Sequence, residues 1–177
     1  MASLNDEYIV KFKEAFYDGP SNCLCIVMEY AKGGDLLKLV NNHIRSRNRV
    51  SEEEIWKAIV HILKGLKSLH DKKILHRDIK SANIFITEDG KYKLGDLNVS
   101  KVLKKGLAYT QTGTPYYASP EVWQDQPYDG KSDIWSLGCV IYEVAALEPP
   151  FKATDLQSLY RKVKAGQYKP ISTYYSS

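Results

Sequence analysis

Apolar and polar positions in the first thirty residues follow a pattern that predicts a β-hairpin. Residues 8–17, YIVKFKEAFY, alternate well enough for a strand. Residues 23–30, CLCIVMEY, form a continuous apolar run that is typical of a buried strand. Between them, residues 18–22, DGPSN, are turn formers. We therefore expect a hairpin with Cys23 and Cys25 at core positions of its second strand.

Helical signals dominate after the hairpin. Asp35 follows two glycines and is a suitable cap for a short helix that ends near residue 45. Ser51 and Glu54 have the spacing of a capping box, so a longer helix should begin here and end near His70. We expect His61 and His70 on this helix to be hydrogen-bonded boundary residues rather than ligands. The apolar positions that recur at helical period are Ile55, Ile59, Ile62, Leu63, Leu66 and Leu69.

The second half of the chain contains a short hairpin, an irregular segment and two more helices. Asp89-Gly90 within IFITEDGKYKL is a strong hairpin signal. Residues 95–121 have no clear period, and long irregular segments in compact domains are usually functional. A helix is predicted over 132–147, before a Pro-Pro pair, and another over 154–164, before a glycine. The balance of elements predicts an α+β protein.

Composition excludes several classes of protein. The chain has 177 residues, of which 44% are hydrophobic and 26% charged, as in an ordinary globular domain. A net charge of +4 is too mild to indicate nucleic-acid binding, and the densest basic run, residues 45–49, is expected to be a solvated loop. Three cysteines do not make a disulfide framework or a zinc site. No signal peptide or membrane-spanning run is recognisable, so we expect a soluble cytoplasmic protein that binds neither nucleic acid nor membrane.

The stretch HRDIKSANIF, residues 76–85, concentrates charged and polar groups just before the second hairpin. Because a hairpin returns the chain to its starting point, Asn83 before it and Asp96 after it should lie side by side. Their oxygen atoms suit Mg²⁺, particularly when phosphates complete the shell. Asp78 can accept a proton and Lys80 can donate to a phosphate oxygen. A polar loop at a sheet edge is the plainer alternative, but it does not explain the convergence, so we favour phosphate chemistry.

Five stretches in the same order resemble the protein kinases, whose catalytic-loop signature is present here. They are IVMEYAKGGDL at 26–36, HRDIKSAN at 76–83, GDLN at 95–98, GTPYYASPE at 113–121 and KSDIWSLGCVIYE at 131–143. The wording of the last two stretches is similar to that of the NIMA-related serine/threonine kinases. The resemblance implies ATP and Mg²⁺ as cofactors and Ser/Thr residues of protein substrates as acceptors.

The resemblance assigns catalytic roles to residues of the loop. Asp78 would accept or orient the proton of the substrate hydroxyl, and Lys80 would neutralise charge on the transferring phosphoryl group. Asn83 and Asp96 would hold Mg²⁺. Thr114 would brace Asp78 beside the substrate.

The resemblance also implies a nucleotide site at the hinge that joins the two lobes of a kinase. The backbones of Glu29 and Ala31 would hydrogen-bond to adenine, with Met28 as the gatekeeper. Phe85 would pack under the adenine ring. Met28 and Phe85 are equally well explained as ordinary core residues, so these two assignments depend most on the resemblance.

Further residues have structural or regulatory roles by resemblance. His76 and Arg77 belong to the catalytic loop, and Asp133 would anchor the backbone of that loop. Glu121 would pair with an arginine expected beyond residue 177. Thr110, with Tyr109 and Thr112 as nearby rivals, is the expected activating phosphosite, whose added charge would pair with Arg77 and neighbouring lysines.

The chain departs from the family pattern in two ways. Leu97-Asn98 replaces Phe-Gly after Asp96, and asparagine is one of the few residues other than glycine that tolerates a left-handed backbone. No Gly-rich loop and no Val-Ala-Ile-Lys strand are found. We therefore expect an incomplete N-lobe over 1–30, holding its last strands, and a mainly helical C-lobe over 31–177 that lacks its last helices.

These departures leave alternatives open. A non-catalytic scaffold or pseudokinase is the main competitor to a kinase catalytic domain, and residues 1–177 alone are expected to be inactive. A regulatory or dimerising region outside this chain is compatible with either reading. The NIMA-like resemblance points to work at the cytoskeleton, centrosome or cilium, an analogy at the level of the family.

Overall fold

The computed structural model describes residues 5–96 and 115–176. Two small antiparallel sheets lie between residues 12 and 94, and the rest is mainly helical, which agrees with the predicted α+β class. The strands are β1 (Phe12–Asp18), β2 (Cys23–Met28), β3 (Gly34–Asp35), β4 (Ile84–Ile86) and β5 (Tyr92–Leu94). The helices are α1 (Leu36–Ser46), α2 (Glu52–Asp71), α3 (Pro120–Trp123), α4 (Gly130–Ala146) and α5 (Leu156–Ala165). A 3₁₀ turn, Ser81–Asn83, leads into β4.

The hairpin β1–β2 forms as predicted, but the expected burial of β2 is wrong. Its strands pair antiparallel from Asp18 opposite Cys23 towards the open end. Cys23 is exposed, Cys25 is only partly buried, and Leu24 is 68% exposed. A continuous apolar strand is buried only when both faces of its sheet are covered. This sheet has two strands and, among the described residues, no helix packed across it.

The first two helices begin where their caps predict. The Asp35 carboxylate accepts a hydrogen bond from the Lys38 amide at 2.8 Å, and Ser51 Oγ accepts one from the Glu54 amide at 3.3 Å. The Glu54 carboxylate instead accepts a hydrogen bond from the buried Tyr92 hydroxyl at 2.6 Å. Glu54 therefore joins α2 to β5.

The second sheet positions the candidate site. Its strand order is β3–β4–β5, and β4 and β5 are the hairpin predicted around Asp89-Gly90. The sequence analysis did not predict β3, because Gly33-Gly34 was interpreted as an interruption between secondary-structure elements. Gly34 has a φ of +80°, which a glycine adopts without strain, and it pairs with Ile86.

The main core lies between α2, α4 and the second sheet. The helix α4 begins at Gly130, two residues before the predicted start, is capped by Asp129, and buries residues on several faces. Within residues 5–96 and 115–176, none of the helices combines the length and the apolar character needed to cross a membrane. A smaller second cluster consists of Trp123, Cys139, Phe151, Leu159 and Val163.

Gly65→Ala is expected to destabilise the protein by about 1–3 kcal/mol, because a β-carbon at this buried site of α2 would overpack it. That β-carbon would lie 2.8 Å from the Tyr8 carbonyl oxygen and 3.1 Å from Leu94 Cδ1. Gly138→Ala on α4 is the matched control. A β-carbon there meets no atom within 4 Å among the described residues, so the change should stabilise the helix by up to about 1 kcal/mol. Urea unfolding measures both, and equal effects would contradict the steric argument.

Candidate active site

The backbone joins the two ends of the β4–β5 hairpin at the predicted metal position. The Gly95 amide donates to the Asn83 carbonyl at 2.9 Å, one residue before Asp96. His76 Nε2 lies 3.0 Å from the Gly95 carbonyl oxygen and ties the preceding loop to the same point. Asn83 and Asp96 therefore come from adjacent backbone segments, as the hairpin argument required.

Asp78, Lys80 and Asn83 form one hydrogen-bonded group. Lys80 Nζ lies 3.0 Å from Asp78 Oδ2. Asn83 Nδ2 donates to the same oxygen at 2.9 Å and to the Asp78 carbonyl at 2.8 Å. Among the described residues, Asp78 Oδ1 has no hydrogen-bond partner. One carboxylate oxygen is thus fixed by the protein, and the other is available for a further donor.

His76 is buried as a neutral ring. Its Nε2 faces the Gly95 carbonyl, so this nitrogen donates, while its Nδ1 accepts from the Asp78 amide at 3.3 Å. Only the neutral tautomer satisfies both partners. Burial lowers the pKa of His76 below its usual range, and this effect exceeds the opposing attraction of the Asp133 and Asp78 carboxylates.

The burial of His76 predicts a pH dependence of stability. The unfolded side chain takes up a proton near pH 6.5, whereas the folded side chain does so only at lower pH. The contribution of His76 to the free energy of unfolding should therefore be fully present above about pH 7 and decrease as the pH falls towards 5. Urea unfolding of the wild type and His76→Gln across this range measures the contribution. An identical pH slope in the two proteins would contradict it.

Two loop residues have left-handed backbones. Arg77 has a φ of +67° and Asp96 a φ of +50°. Such conformations cost non-glycine residues roughly 1–3 kcal/mol and cluster at functional sites. Both residues are exposed.

Asp133 lies beneath the catalytic loop and accepts hydrogen bonds from several partners, and we call this cluster the Asp133 hub. Its side chain has no exposed surface, and it accepts hydrogen bonds from the His76 and Arg77 amides at 3.0 Å each. His70 Nε2 lies 2.7 Å from Asp133 Oδ2, and the Tyr128 hydroxyl donates to Oδ1 at 2.5 Å. Burial and the charge of Asp133 raise the pKa of Tyr128, so Tyr128 remains a donor. The backbone contacts implied for Asp133 are present, and its effect on catalysis stays a prediction.

Sequence patterns missed the supporting residues of this hub and of the neighbouring loop. His70 had been expected to be a satisfied boundary residue, and it is hydrogen-bonded, but nothing in the spacing indicated Asp133 as its partner. The Tyr117 hydroxyl contacts Ser81 Oγ at 3.2 Å and donates to Glu143 at 2.8 Å. This network holds the 3₁₀ turn against α4.

Glu121 has a partner inside the chain. Ser132 Oγ donates to its carboxylate at 2.5 Å. Burial alone would raise the pKa of Glu121, but the hydrogen bonds to Ser132 and to backbone lower it below the usual range. The expected arginine partner stays a prediction.

The predicted nucleotide residues are distributed between the two sheets. Met28 ends β2 and is 43% exposed, so it is not a core residue in this chain. Glu29 and Ala31 follow it, and Phe85 on β4 is half-buried, with its ring packed against the Gly95 backbone. A β-carbon at Gly95 would lie only 2.4 Å from that ring. The predicted residues Leu97, Asn98, Thr110 and Thr114 lie outside the described residues.

The donor set fits a magnesium-bound nucleotide. Among the described residues, both side-chain hydrogen bonds of Asn83 use its amide nitrogen, which leaves its side-chain oxygen as the atom for a cation. Hard oxygen donors of this type, together with phosphate oxygens, form the usual magnesium shell.

The fold and the loop geometry together define a protein kinase domain. Residues 1–175 match the protein kinase domain family, and the chain therefore belongs to that family. This family generally uses ATP and Mg²⁺.

Three curated relatives are serine/threonine kinases named Nek. Probable serine/threonine-protein kinase nek2 of Dictyostelium discoideum is 43% identical over 180 residues, covering 99% of this chain and 43% of that protein. Serine/threonine-protein kinase Nek1 of Mus musculus is 45% identical over 178 residues, covering 99% and 14%. Serine/threonine-protein kinase Nek5 of Homo sapiens is 48% identical over 172 residues, covering 95% and 24%.

These similarities confirm the predicted kinase fold and the predicted NIMA-related resemblance. The chain spans less than half the length of each of these relatives.

Proposed function

We propose that this chain is part of the catalytic domain of a serine/threonine protein kinase that transfers the ATP γ-phosphate to protein substrates. The observation that carries the proposal is the shared contact of Lys80 and Asn83 with one oxygen of Asp78, next to the Asn83–Gly95 backbone link. A polar loop at a sheet edge has no need for this convergence. No specific observation favours the scaffold alternative.

Each loop residue has a distinct task in this proposal. Asp78 Oδ2 is held by two donors, so Oδ1 receives the substrate hydroxyl and takes its proton. Lys80 is already beside that carboxylate and stabilises negative charge on the phosphoryl oxygens. Its position also supports Ser/Thr over Tyr as the acceptor, by resemblance to the family.

Mg²⁺–ATP would supply the transferable phosphoryl group and the charge neutralisation at its oxygens. The Asn83 side-chain oxygen and the Asp96 carboxylate would hold the cation. The hinge backbone at Glu29 and Ala31 would bind adenine, and Phe85 would lie beneath the ring. We further propose that the N-lobe ends near residue 30 and that residues 1–177 alone have a low turnover of phosphoryl transfer.

The test is phosphotransfer by the full-length protein, with labelled Mg²⁺–ATP and a generic Ser/Thr substrate. Asp96→Ala serves as the blank, since it removes a proposed metal ligand. We expect label on serine or threonine in the wild type and none above background in the blank. Label on tyrosine, or equal label in both proteins, would sink the proposal.

Thr110 is expected to carry phosphate in the active protein. It stands three residues before Gly113, and the added charge would pair with Arg77. Peptide mapping by mass spectrometry distinguishes it from Tyr109 and Thr112. Fully active protein with unmodified Thr110 would contradict this assignment.

We further propose a cytoplasmic location at the cytoskeleton, centrosome or cilium, which rests on family analogy alone. Imaging of the tagged full-length protein tests it, and an exclusively nuclear or membrane signal would contradict it.

A further inference from the structure

Glu29 is held from two sides at the predicted adenine position. Its backbone amide donates to the Lys11 carbonyl at 2.8 Å, and its side-chain Oε2 accepts from the Lys11 amide at 3.1 Å. Lys93 Nζ contacts both carboxylate oxygens, at 2.6 and 2.8 Å. The Glu29 side chain therefore contacts both the base of the first hairpin and strand β5 of the second sheet.

The Glu29–Lys93 pair is more shielded than the other lysine–carboxylate pairs of the described residues. The Lys93 side chain is 13% exposed and that of Glu29 29%, whereas the other paired lysines are between 37% and 75% exposed. Shielded pairs resist screening, and removing one partner is costly because the other charge is left unpaired. This pair is therefore suited to fixing a geometry.

Among the described residues, the Glu29–Lys93 pair is one of a few links between the β1–β2 hairpin and the β3–β4–β5 sheet. Within residues 5–96 and 115–176, the sheets β1–β2 and β3–β4–β5 share no ladder, and close to the pair Leu94 is joined by backbone hydrogen bonds to Tyr8 and Val10. Lys93 lies three residues before Asp96, the proposed metal ligand. Glu29 provides the proposed adenine-binding carbonyl. The pair thus links the proposed adenine end of the nucleotide site to the strand that leads to the proposed metal ligand.

A cleft of about 740 Å³ beside the pair offers a different reading, an anion site. Its lining lysines, however, already have carboxylate partners: Lys32 contacts Glu88, Lys91 contacts Glu7 and Asp89, and Lys93 contacts Glu29. The positive charge of the cleft is therefore already neutralised, and a role of Lys93 in positioning Glu29 is better supported.

We propose that Lys93 is a positioning residue for the nucleotide, which clamps Glu29 to β5 and so fixes the hinge carbonyl relative to Asp96. This inference rests on the proposed nucleotide site. The clamp acts through Glu29 and does not itself contact the nucleotide.

The test compares three variants of the full-length protein. Lys93→Met removes the clamp and keeps the length of the side chain, and Lys93→Arg restores the positive charge. Lys91→Met, two residues earlier and next to β5, removes the more exposed pairs with Glu7 and Asp89 and is the matched control. The measurements are the Kd for Mg²⁺–ATP and amide hydrogen exchange in peptides covering 27–33 and 130–146.

We expect Lys93→Met to raise the Kd about tenfold, the loss of one charged hydrogen-bonded contact, and to speed exchange in 27–33 but not in α4. Lys91→Met should change the Kd less than about twofold, as for an exposed pair. Lys93→Arg should recover most of the affinity. Uniformly faster exchange in both peptides would show a merely structural role and overturn the proposal.

The Kd for Mg²⁺–ATP distinguishes a failure of the positioning role from a failure of the proposed function. If the wild type binds Mg²⁺–ATP and Lys93→Met binds it equally well, the positioning role fails while the proposed function stands. If the wild type does not bind Mg²⁺–ATP, the proposed function fails and the positioning role fails with it.

Discussion

Asp78→Ala is expected to lower the turnover of phosphoryl transfer in the full-length protein by about 10²–10⁴-fold, the contribution of a positioned proton acceptor. The affinity for Mg²⁺–ATP should change little, since the proposed adenine and metal contacts come from the hinge, Asn83 and Asp96. Asn83 and Lys80 lose a common partner in this variant, so part of the loss also reflects poorer positioning. Steady-state kinetics and a nucleotide-binding titration separate the two effects.

The matched control for Asp78→Ala is Asp89→Ala. Asp89 lies at the turn of the hairpin that positions the site, and its side chain is 60% exposed, compared with 26% for Asp78. It contacts Thr87 and Lys91 at the turn, away from the loop. Asp89→Ala should leave turnover within about twofold of the wild type, because exposed pairs contribute little. An Asp78→Ala protein that keeps a third of the wild-type turnover would remove Asp78 from the proposed chemistry.

Local signals predicted the elements that local contacts stabilise. Asp35 and Ser51 cap the first two helices, and each cap is a contact between residues three positions apart. The turn at Asp89-Gly90 returns the chain by a short hairpin, so the order of the residues predicted that the segments holding Asn83 and Asp96 approach each other, and the bond from the Gly95 amide to the Asn83 carbonyl joins these segments. These contacts depend on spacing, which a sequence displays directly.

Burial and remote pairing could not be predicted in the same way. The apolar run of β2 indicated a strand correctly, but its exposure depends on what covers the sheet, and no local pattern contains that information. His70 and Asp133 are separated by 63 positions, and Glu29 and Lys93 by 64. Such partners are brought together by the packing of whole elements, so their residue types alone do not pair them.

Asp133→Ala is expected to lower the free energy of unfolding by about 3–5 kcal/mol, the cost of breaking a buried charged network. The change leaves the amides of His76 and Arg77 without their acceptor, and it removes the partner of the Tyr128 hydroxyl. For a domain of this size, such a loss corresponds to a fall of roughly 6–20 °C in Tm. Asp133→Asn keeps one acceptor oxygen and should cost less. Urea unfolding at constant pH measures the series.

Asp129 provides the control for this prediction, because it lies four residues earlier at the start of the same helix. Its exposed carboxylate caps α4 by accepting from the Lys131 amide at 2.7 Å and the Ser132 amide at 3.2 Å. Loss of such a cap costs about 1 kcal/mol. If Asp133→Ala costs no more than Asp129→Ala, the hub does not stabilise the fold. If it costs more, Asp133→Asn should also lower turnover more than Asp129→Ala at a temperature where both are folded, since only Asp133 holds the loop that carries Asp78.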